Sequence, residues 1–150
     1  MTTVIARTAT RITVPIALVT AVALLIQGHN LPGGGFIAGV LTAASLALVY
    51  VVFGLEELAT MLGIRDGGRF GHGPITYYRA TFGLGLALAA VSGLVPIAFG
   101  GPFLEQTYWV LHGVPLYGEV EVASALAFDL GVYLTVVGAL LEIVSVVGAE

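Results

Sequence analysis

Residues 36–55 read FIAGVLTAASLALVYVVFGL, and none of these twenty residues is charged. The hydrocarbon core of a bilayer is about 30 Å thick, so a helix that rises about 1.5 Å per residue crosses it with about 20 apolar residues. The run is continuous and rich in Leu and Ala, whereas a membrane strand is shorter and alternates apolar with polar side chains. It therefore predicts a transmembrane helix.

Three more apolar segments extend this pattern in both directions. Together the segments predict helices over about residues 4–27, 35–56, 79–100 and 122–147. Of the 150 residues, 58% are hydrophobic and only 9% are charged, whereas a soluble domain has about 25% charged residues. We therefore predict an all-α integral membrane protein with four transmembrane helices, in which residues 1–150 form a single membrane domain.

The arginines predict how these helices are oriented. The chain has no lysine. Arg7 and Arg11 precede the apolar run of the first helix, which covers about residues 12–26, and Arg65, Arg69 and Arg79 fall between the apolar runs of the second and third helices. With four spans, both groups fall on one side of the membrane. Because positively charged loops stay in the cytoplasm, we predict that both the N- and C-termini are cytoplasmic.

Small residues recur at about four-residue spacing along three of the helices. Such stripes let helix backbones approach closely, which favours helix association in lipid. The alternative is that small residues are simply common in membrane helices. The positions predicted to pack are Gly35, Gly39, Ala43, Ala47, Gly85, Ala89, Gly93, Ala123, Ala127, Gly131, Thr135 and Ala139.

Two acidic residues lie inside the fourth predicted helix. Asp129 falls about 10 Å below the outer surface, where an unpaired carboxylate costs about 3 kcal/mol. Tyr133, one turn later, is placed to donate a hydrogen bond to it. Asp129 is then either a proton or cation relay group, or a structural acid that is hydrated or bonded to a neighbouring helix. Glu142 lies about 20 Å away along the axis, too far for a catalytic pair, and we interpret it as an interfacial or subunit-contact acid.

The connection between the first two helices, residues 28–39, reads GHNLPGGGFIAG. A Gly-rich loop that opens a helix suggests phosphate binding, but this one lacks the Lys and Ser/Thr of a P-loop and follows no strand. We predict a turn that its glycines permit and Pro32 directs. The three histidines are dispersed and no nucleophile lies beside a base, so we predict no metal site, no cofactor, no nucleic-acid partner and no enzymatic activity.

Three strings resemble the MrpB/MnhB family, whose members are small subunits of the Mrp-type (also called Mnh) multisubunit cation/proton antiporters. GHNLPGGGFIAG follows an R-x-x-x-R entry into the first helix, and FDLGVYLTVVG (128–138) resembles the last helix of that family. GLVPIAFGGPF (93–103) is a third match, and the three occur in the expected order. The family's motif residues map onto His29, Asn30, Pro32, Gly33, Gly34, Gly35 and Phe36, and onto Asp129, Gly131 and Tyr133.

The resemblance implies an accessory subunit of a complex that exchanges cytoplasmic Na⁺ for external H⁺ across a prokaryotic plasma membrane. Its partners are then the other antiporter subunits, the transported Na⁺ and H⁺, and the lipid bilayer. In that family the Lys and Glu relays that move protons belong to the large subunits, and the lack of an intramembrane Lys here fits an accessory role.

Three hypotheses for the role of the chain stay open. In the first, Asp129 and Tyr133 line or support an ion path and the Gly-rich turn contacts a partner subunit. In the second, the chain is purely a scaffold. In the third, the parent complex is a membrane-bound hydrogenase or a related respiratory complex, because similar subunits also occur in those complexes.

Overall fold

Four long helices, one short helix and a two-stranded hairpin make up the chain as the structure describes it. The structure, a computed structural model, describes residues 4–28, 33–63, 74–105, 108–114, 118–123 and 125–148. Its elements are α1 (Val4–Gln27), α2 (Gly35–Phe53), α3 (Leu55–Met61), α4 (Pro74–Ala98), β1 (Tyr108–Val114), β2 (Gly118–Ala123) and α5 (Ala125–Val147). Within these ranges, four helices are long and apolar enough to cross a membrane, which confirms the predicted membrane fold. The orientation of the termini stays a prediction.

The middle of the bundle is formed by α2 and α5. Helix α2 packs against α1 on one side and against α5 on the other, and α4 packs against α5. We call the end of the bundle that holds residues 28 and 33–35 the turn end, and the end that holds α3 the α3 end. The buried apolar cluster lies toward the α3 end and consists of Val14, Leu46, Val49, Leu58, Tyr78, Val137 and Leu141.

Glycines in α2, α4 and α5 lie where two helix backbones approach each other. A Cβ atom on Gly39 would lie 2.9 Å from the Cβ of Val136 in α5, and one on Gly131 would lie 2.5 Å from the backbone N of Ala89 in α4. The predicted small-residue packing is thus confirmed where α5 contacts its two neighbours. Three positions depart from the prediction: Ala123 belongs to β2, Ala127 is exposed, and Gly93 faces the ring of Phe103 in the following loop.

Helix α2 ends earlier than the apolar pattern predicts. It stops at Phe53, and Gly54 has φ +97° while its N–H donates to the Tyr50 carbonyl at 2.8 Å. Positive φ is strained for residues with a side chain, so the glycine separates α2 from α3. Leu58 of α3 is fully buried in the apolar cluster, which holds the short helix against the bundle.

A β-hairpin occupies most of the connection between α4 and α5. Strand β1 pairs antiparallel with β2, and Trp109 lies opposite Val122. The apolar pattern predicted the fourth helix from about residue 122, but pairing continues to Ala123 and α5 begins at Ala125. The alternation of Glu and Val over residues 119–122 is a strand signal, which apolar length alone does not register.

Candidate functional site

The chain reverses sharply at the turn end, where α1 gives way to α2. The N–H of Gly34 donates to the Leu24 carbonyl at 3.0 Å, and a Cβ on Gly33 would lie 2.6 Å from the same oxygen. Gly34 has φ +96° and ψ 178°, a region that is essentially restricted to glycine. Gly33 and Gly34 are therefore folded directly onto the last turn of α1.

Asp129 reaches this turn from α5. Its Oδ1 accepts a hydrogen bond from the Gly35 N–H at 3.2 Å. Cβ atoms on Gly34 and Gly28 would lie 3.3 Å from Oδ1 and Oδ2 respectively, so the half-buried carboxylate contacts both sides of the turn. Because α5 begins at Ala125, Asp129 lies about 6 Å from the helix start, which is shallower than the sequence predicted.

The contact gives α2 a cap that its own sequence cannot supply. The first N–H groups of a helix have no partner within the helix, and an N-cap side chain usually accepts one of their hydrogen bonds. The N-cap of α2 is Gly34, which makes no side-chain cap bond. Asp129 provides the missing oxygen from another helix, at the positive end of the α2 dipole, where an acidic side chain is favourable.

Position 35 has no room for a side chain. A Cβ built on Gly35 would overlap the backbone carbonyl oxygen of Asp129, and it would lie 2.7 Å from the carbonyl carbon. Any larger residue at this position must push α2 away from α5. The cap and the close helix contact therefore depend on each other.

Tyr133 does not donate to Asp129, so that prediction is wrong. Its hydroxyl donates to Thr42 Oγ1 of α2 at 3.1 Å. The prediction used only the four-residue spacing along α5, but the phenol crosses the interface to the buried Thr42, two turns beyond Gly35. Asp129 and Tyr133 thus contact α2 at two separate levels.

Glu142 has a partner within the chain at the α3 end. Its Oε1 accepts hydrogen bonds from Arg79 Nε at 3.1 Å and Nη2 at 3.0 Å. The side chains of Arg79 and Glu142 are 73% and 23% exposed. The acid that we interpreted as a subunit contact therefore links α5 to α4, and Arg79, used only as an orientation marker, is its partner.

The other motif residues divide into two groups. Phe36 is 62% exposed and lies on the outside of the bundle beside the turn. His29, Asn30 and Pro32 lie outside the described residues. Over the described ranges, no three His, Asp or Glu side chains are grouped so that they could hold a metal ion.

Comparison with known proteins places this arrangement in a family. The family model described as a domain related to the MnhB subunit of Na⁺/H⁺ antiporters matches residues 5–142. The chain belongs to the MnhB family. This confirms the resemblance that the three sequence strings carried.

Two curated relatives match the chain over nearly its whole length. Both are named as the B-type subunit of a Na⁺/H⁺ antiporter. The one from Bacillus subtilis (strain 168) is 36% identical over 146 residues, which cover 97% of this chain and 93% of the relative. The one from Alkalihalophilus pseudofirmus is 34% identical over 147 residues, which cover 98% and 93%.

A solved structure shares the MnhB-family fold. It is the structure of the Mrp complex from Dietzia sp. DQ12-45-1b, in which the matching region has a TM-score of 0.73 and 30% identity. The match covers 97% of this chain but only 14% of the matched chain. The fold of this protein thus corresponds to a small part of a much longer chain in that complex.

In this MnhB-family chain, two of the three strings that carried the resemblance meet in space. The described part of the Gly-rich turn, Gly33–Gly35, lies against α1 and Asp129. The sequence could have predicted that the two strings lie close together, because the starts of the second and fourth predicted spans fall on the same side of the membrane. Thr42 was missed because a buried hydroxyl in an apolar run gives no distinctive sequence signal.

Proposed function

We propose that this chain is an accessory subunit of a multisubunit Na⁺/H⁺ antiporter in the plasma membrane. Its family, the two relatives named as B-type antiporter subunits, and the likeness to a region of the Mrp complex support this assignment. The partners are then the other subunits of the complex, which together exchange Na⁺ for H⁺. The names of these relatives favour an antiporter over a hydrogenase-type parent complex.

The distribution of charge supports an accessory role rather than a complete ion path. In the described spanning helices, the charged residues are Arg7, Arg11, Arg79, Asp129 and Glu142. All except Asp129 lie toward the α3 end. A proton path through this chain alone would need titratable groups between Asp129 and that end, and the described interior holds only hydroxyl side chains there. We assign the chain no enzymatic activity of its own.

We propose that the main role of Asp129 within the complex is in assembly. The hydrogen bond from the Gly35 N–H to Asp129 Oδ1 carries this proposal, because it joins α2 to α5 through the backbone. Phe36 follows immediately and is largely exposed, so a fixed turn also fixes the position of this ring. We propose that Phe36 contacts a neighbouring subunit.

A second role, in the ion path, is favoured by a separate observation. The half-buried carboxylate of Asp129 has no cationic partner among the described residues. The hydroxyl pair of Tyr133 and Thr42 lies further along the same α2–α5 interface. An ionisable group inside a membrane, such as the carboxyl group of Asp129, is by default a candidate for ion or proton transfer.

Two substitutions of Asp129 separate the roles. Asp129→Asn keeps an oxygen that can accept from Gly35 but removes the ionisable carboxyl group, whereas Asp129→Ala removes both. We expect the Asn variant to assemble and to transport within about twofold of the native complex. We expect the Ala variant to reduce the recovered complex about fivefold or more, since loss of a cap costs about 0.5–2 kcal/mol.

The measurement is Na⁺-dependent proton movement in everted vesicles that express the whole complex, with subunits quantified after capture on a tagged partner subunit. Leu130→Ala is the matched control, because Leu130 is an exposed neighbour on the same helix. An Asn variant that assembles fully but does not transport would replace the assembly role with the ion-path role. Native behaviour of both Asp129 variants would remove this residue from either role.

A further inference from the structure

A cavity of about 190 Å³ opens at the α3 end, between α1, the end of α2 and α3. This is the volume of about six water molecules. The buried part of its lining consists of Val14, Val49 and Thr10, whose hydroxyl donates to the Ala6 carbonyl at 2.9 Å. Its exposed part carries Arg11 of α1 and Glu57 of α3, so one cavity presents both a positive and a negative charge.

Neither Arg11 nor Glu57 forms an ion pair within the described part of the chain. The ion pair between Arg79 and Glu142 is the one found there, and it does not involve Arg11 or Glu57. The Arg11 guanidinium lies 5.9 Å from the centre of the Phe53 ring, which orients a cation without satisfying its hydrogen-bond donors. A ligand with a separated anion and cation would complement this pair.

The cavity lies beside one end of the helices that are long enough to span a membrane, and helix ends are where lipid headgroups are found. Phe53 is the last residue of the spanning helix α2, and Arg11 lies over its ring. From the cavity, the same face of α1 continues through Pro15 to Val19 and Val22, which are 71% and 52% exposed. These positions follow helical spacing, so a continuous apolar surface leads from the charged opening into the membrane.

We infer that this cavity binds the headgroup of a phospholipid with a primary amine, of the phosphatidylethanolamine type. Arg11 binds the phosphate, because a guanidinium donates two parallel hydrogen bonds to phosphate oxygens. Glu57 accepts hydrogen bonds from the ammonium group, and an acyl chain lies along the exposed face of α1. The bound lipid then joins α1 to the short helix α3.

The two charges distinguish this headgroup from other common ones. A choline headgroup carries no N–H and cannot donate a hydrogen bond to Glu57. A glycerol headgroup can donate a hydroxyl hydrogen bond to Glu57 but brings no positive charge to offset the carboxylate. The preference for a primary ammonium therefore depends on Glu57, whereas the affinity for phosphate depends on Arg11.

The test uses the purified complex in phosphatidylcholine liposomes that contain a photoreactive phosphatidylethanolamine as the probe. Crosslinked peptides of this chain are identified by mass spectrometry, and unlabelled lipids compete with the probe. We expect labelling of α1 or α3, with phosphatidylethanolamine competing about tenfold better than phosphatidylcholine or phosphatidylglycerol. Equal competition by all three lipids would overturn the proposal.

Substitutions identify the groups responsible. Arg11→Gln is expected to reduce labelling about tenfold, and Arg11→Lys to restore only part of it, because an ammonium keeps the charge but cannot donate the two parallel hydrogen bonds. Glu57→Gln is expected to remove the preference over phosphatidylglycerol. The matched controls Arg7→Gln and Glu56→Gln lie on the same helices but do not line the cavity. Equal losses of labelling in the control variants would overturn the proposal. Labelling of the isolated chain but not of the assembled complex would also overturn it, because another chain of the complex then covers the cavity.

Discussion

Helix α5 carries one acid toward each end, and the two are held in different ways. Asp129, at the turn end, accepts from the backbone N–H of Gly35 and lies at the positive end of the α2 dipole. Glu142, thirteen residues later at the α3 end, is bound by the guanidinium of Arg79. The first acid joins α5 to α2 and the second joins α5 to α4.

This difference decides how much each contact depends on the surrounding residues. A side-chain ion pair with a 73% exposed arginine can rearrange or be replaced by water, and such pairs contribute about 0–1 kcal/mol. A carboxylate bound to a backbone N–H requires the two helix backbones to stay at a fixed separation. We therefore expect the turn end to tolerate fewer substitutions than the α3 end.

Gly35→Ala should give the largest effect. Its Cβ would overlap the Asp129 carbonyl oxygen, so α2 and α5 must separate and the cap is lost. We expect a loss of about 3 kcal/mol of stability, measured by thermal unfolding of the detergent-solubilised complex.

Gly83→Ala is the matched control for this substitution. Gly83 also lies inside a membrane helix, but a Cβ there would meet nothing within 4 Å. Alanine is the better helix former by about 0.5–1 kcal/mol, so this variant should be neutral or slightly stabilised. If both alanine variants unfold at the same temperature, the close contact at position 35 does not determine stability.

The hydroxyl pair between the two acids should give an intermediate effect. Tyr133→Phe and Thr42→Val each remove one partner of the bond between them, and each should cost about 1 kcal/mol of stability. Because the bond is shared, the double variant should lose less than the sum of the two single losses. Tyr77→Phe, at a partly exposed ring, is the control and should change little. Additive losses would mean that the two hydroxyls act independently.

The sequence predicted the framework of this fold because lipid imposes a simple requirement on composition. Long apolar runs located the four spanning helices, and small-residue spacing located much of the contact of α5 with its neighbours. The hairpin and α3 were missed, because they lie in connections where apolar length carries no information. The break at Gly54 depends on a local backbone angle that glycine permits but does not require.

The site was predicted as a set of residues but not as an arrangement. Asp129 was selected because an acid in a membrane helix needs a partner. Its actual partner is the backbone of Gly35, which has no side chain that a motif could reveal. Tyr133 was assigned to the wrong partner, because spacing along one helix does not show what the adjacent helix offers.

The ion pair at the α3 end should give the smallest effect, and its two halves should differ. Arg79→Gln leaves Glu142, only 23% exposed, without its cation, whereas Glu142→Gln leaves an arginine that is 73% exposed and free to contact water. We expect both losses to be below about 1 kcal/mol, with the larger for Arg79→Gln. Unfolding at low and high salt should show the difference shrinking as salt screens the exposed charges. If Arg79→Gln instead costs as much stability as Asp129→Ala, the two ends of α5 are equally sensitive to substitution. The hydrogen bond from the backbone N–H of Gly35 to Asp129 would then not make the turn end the more sensitive of the two.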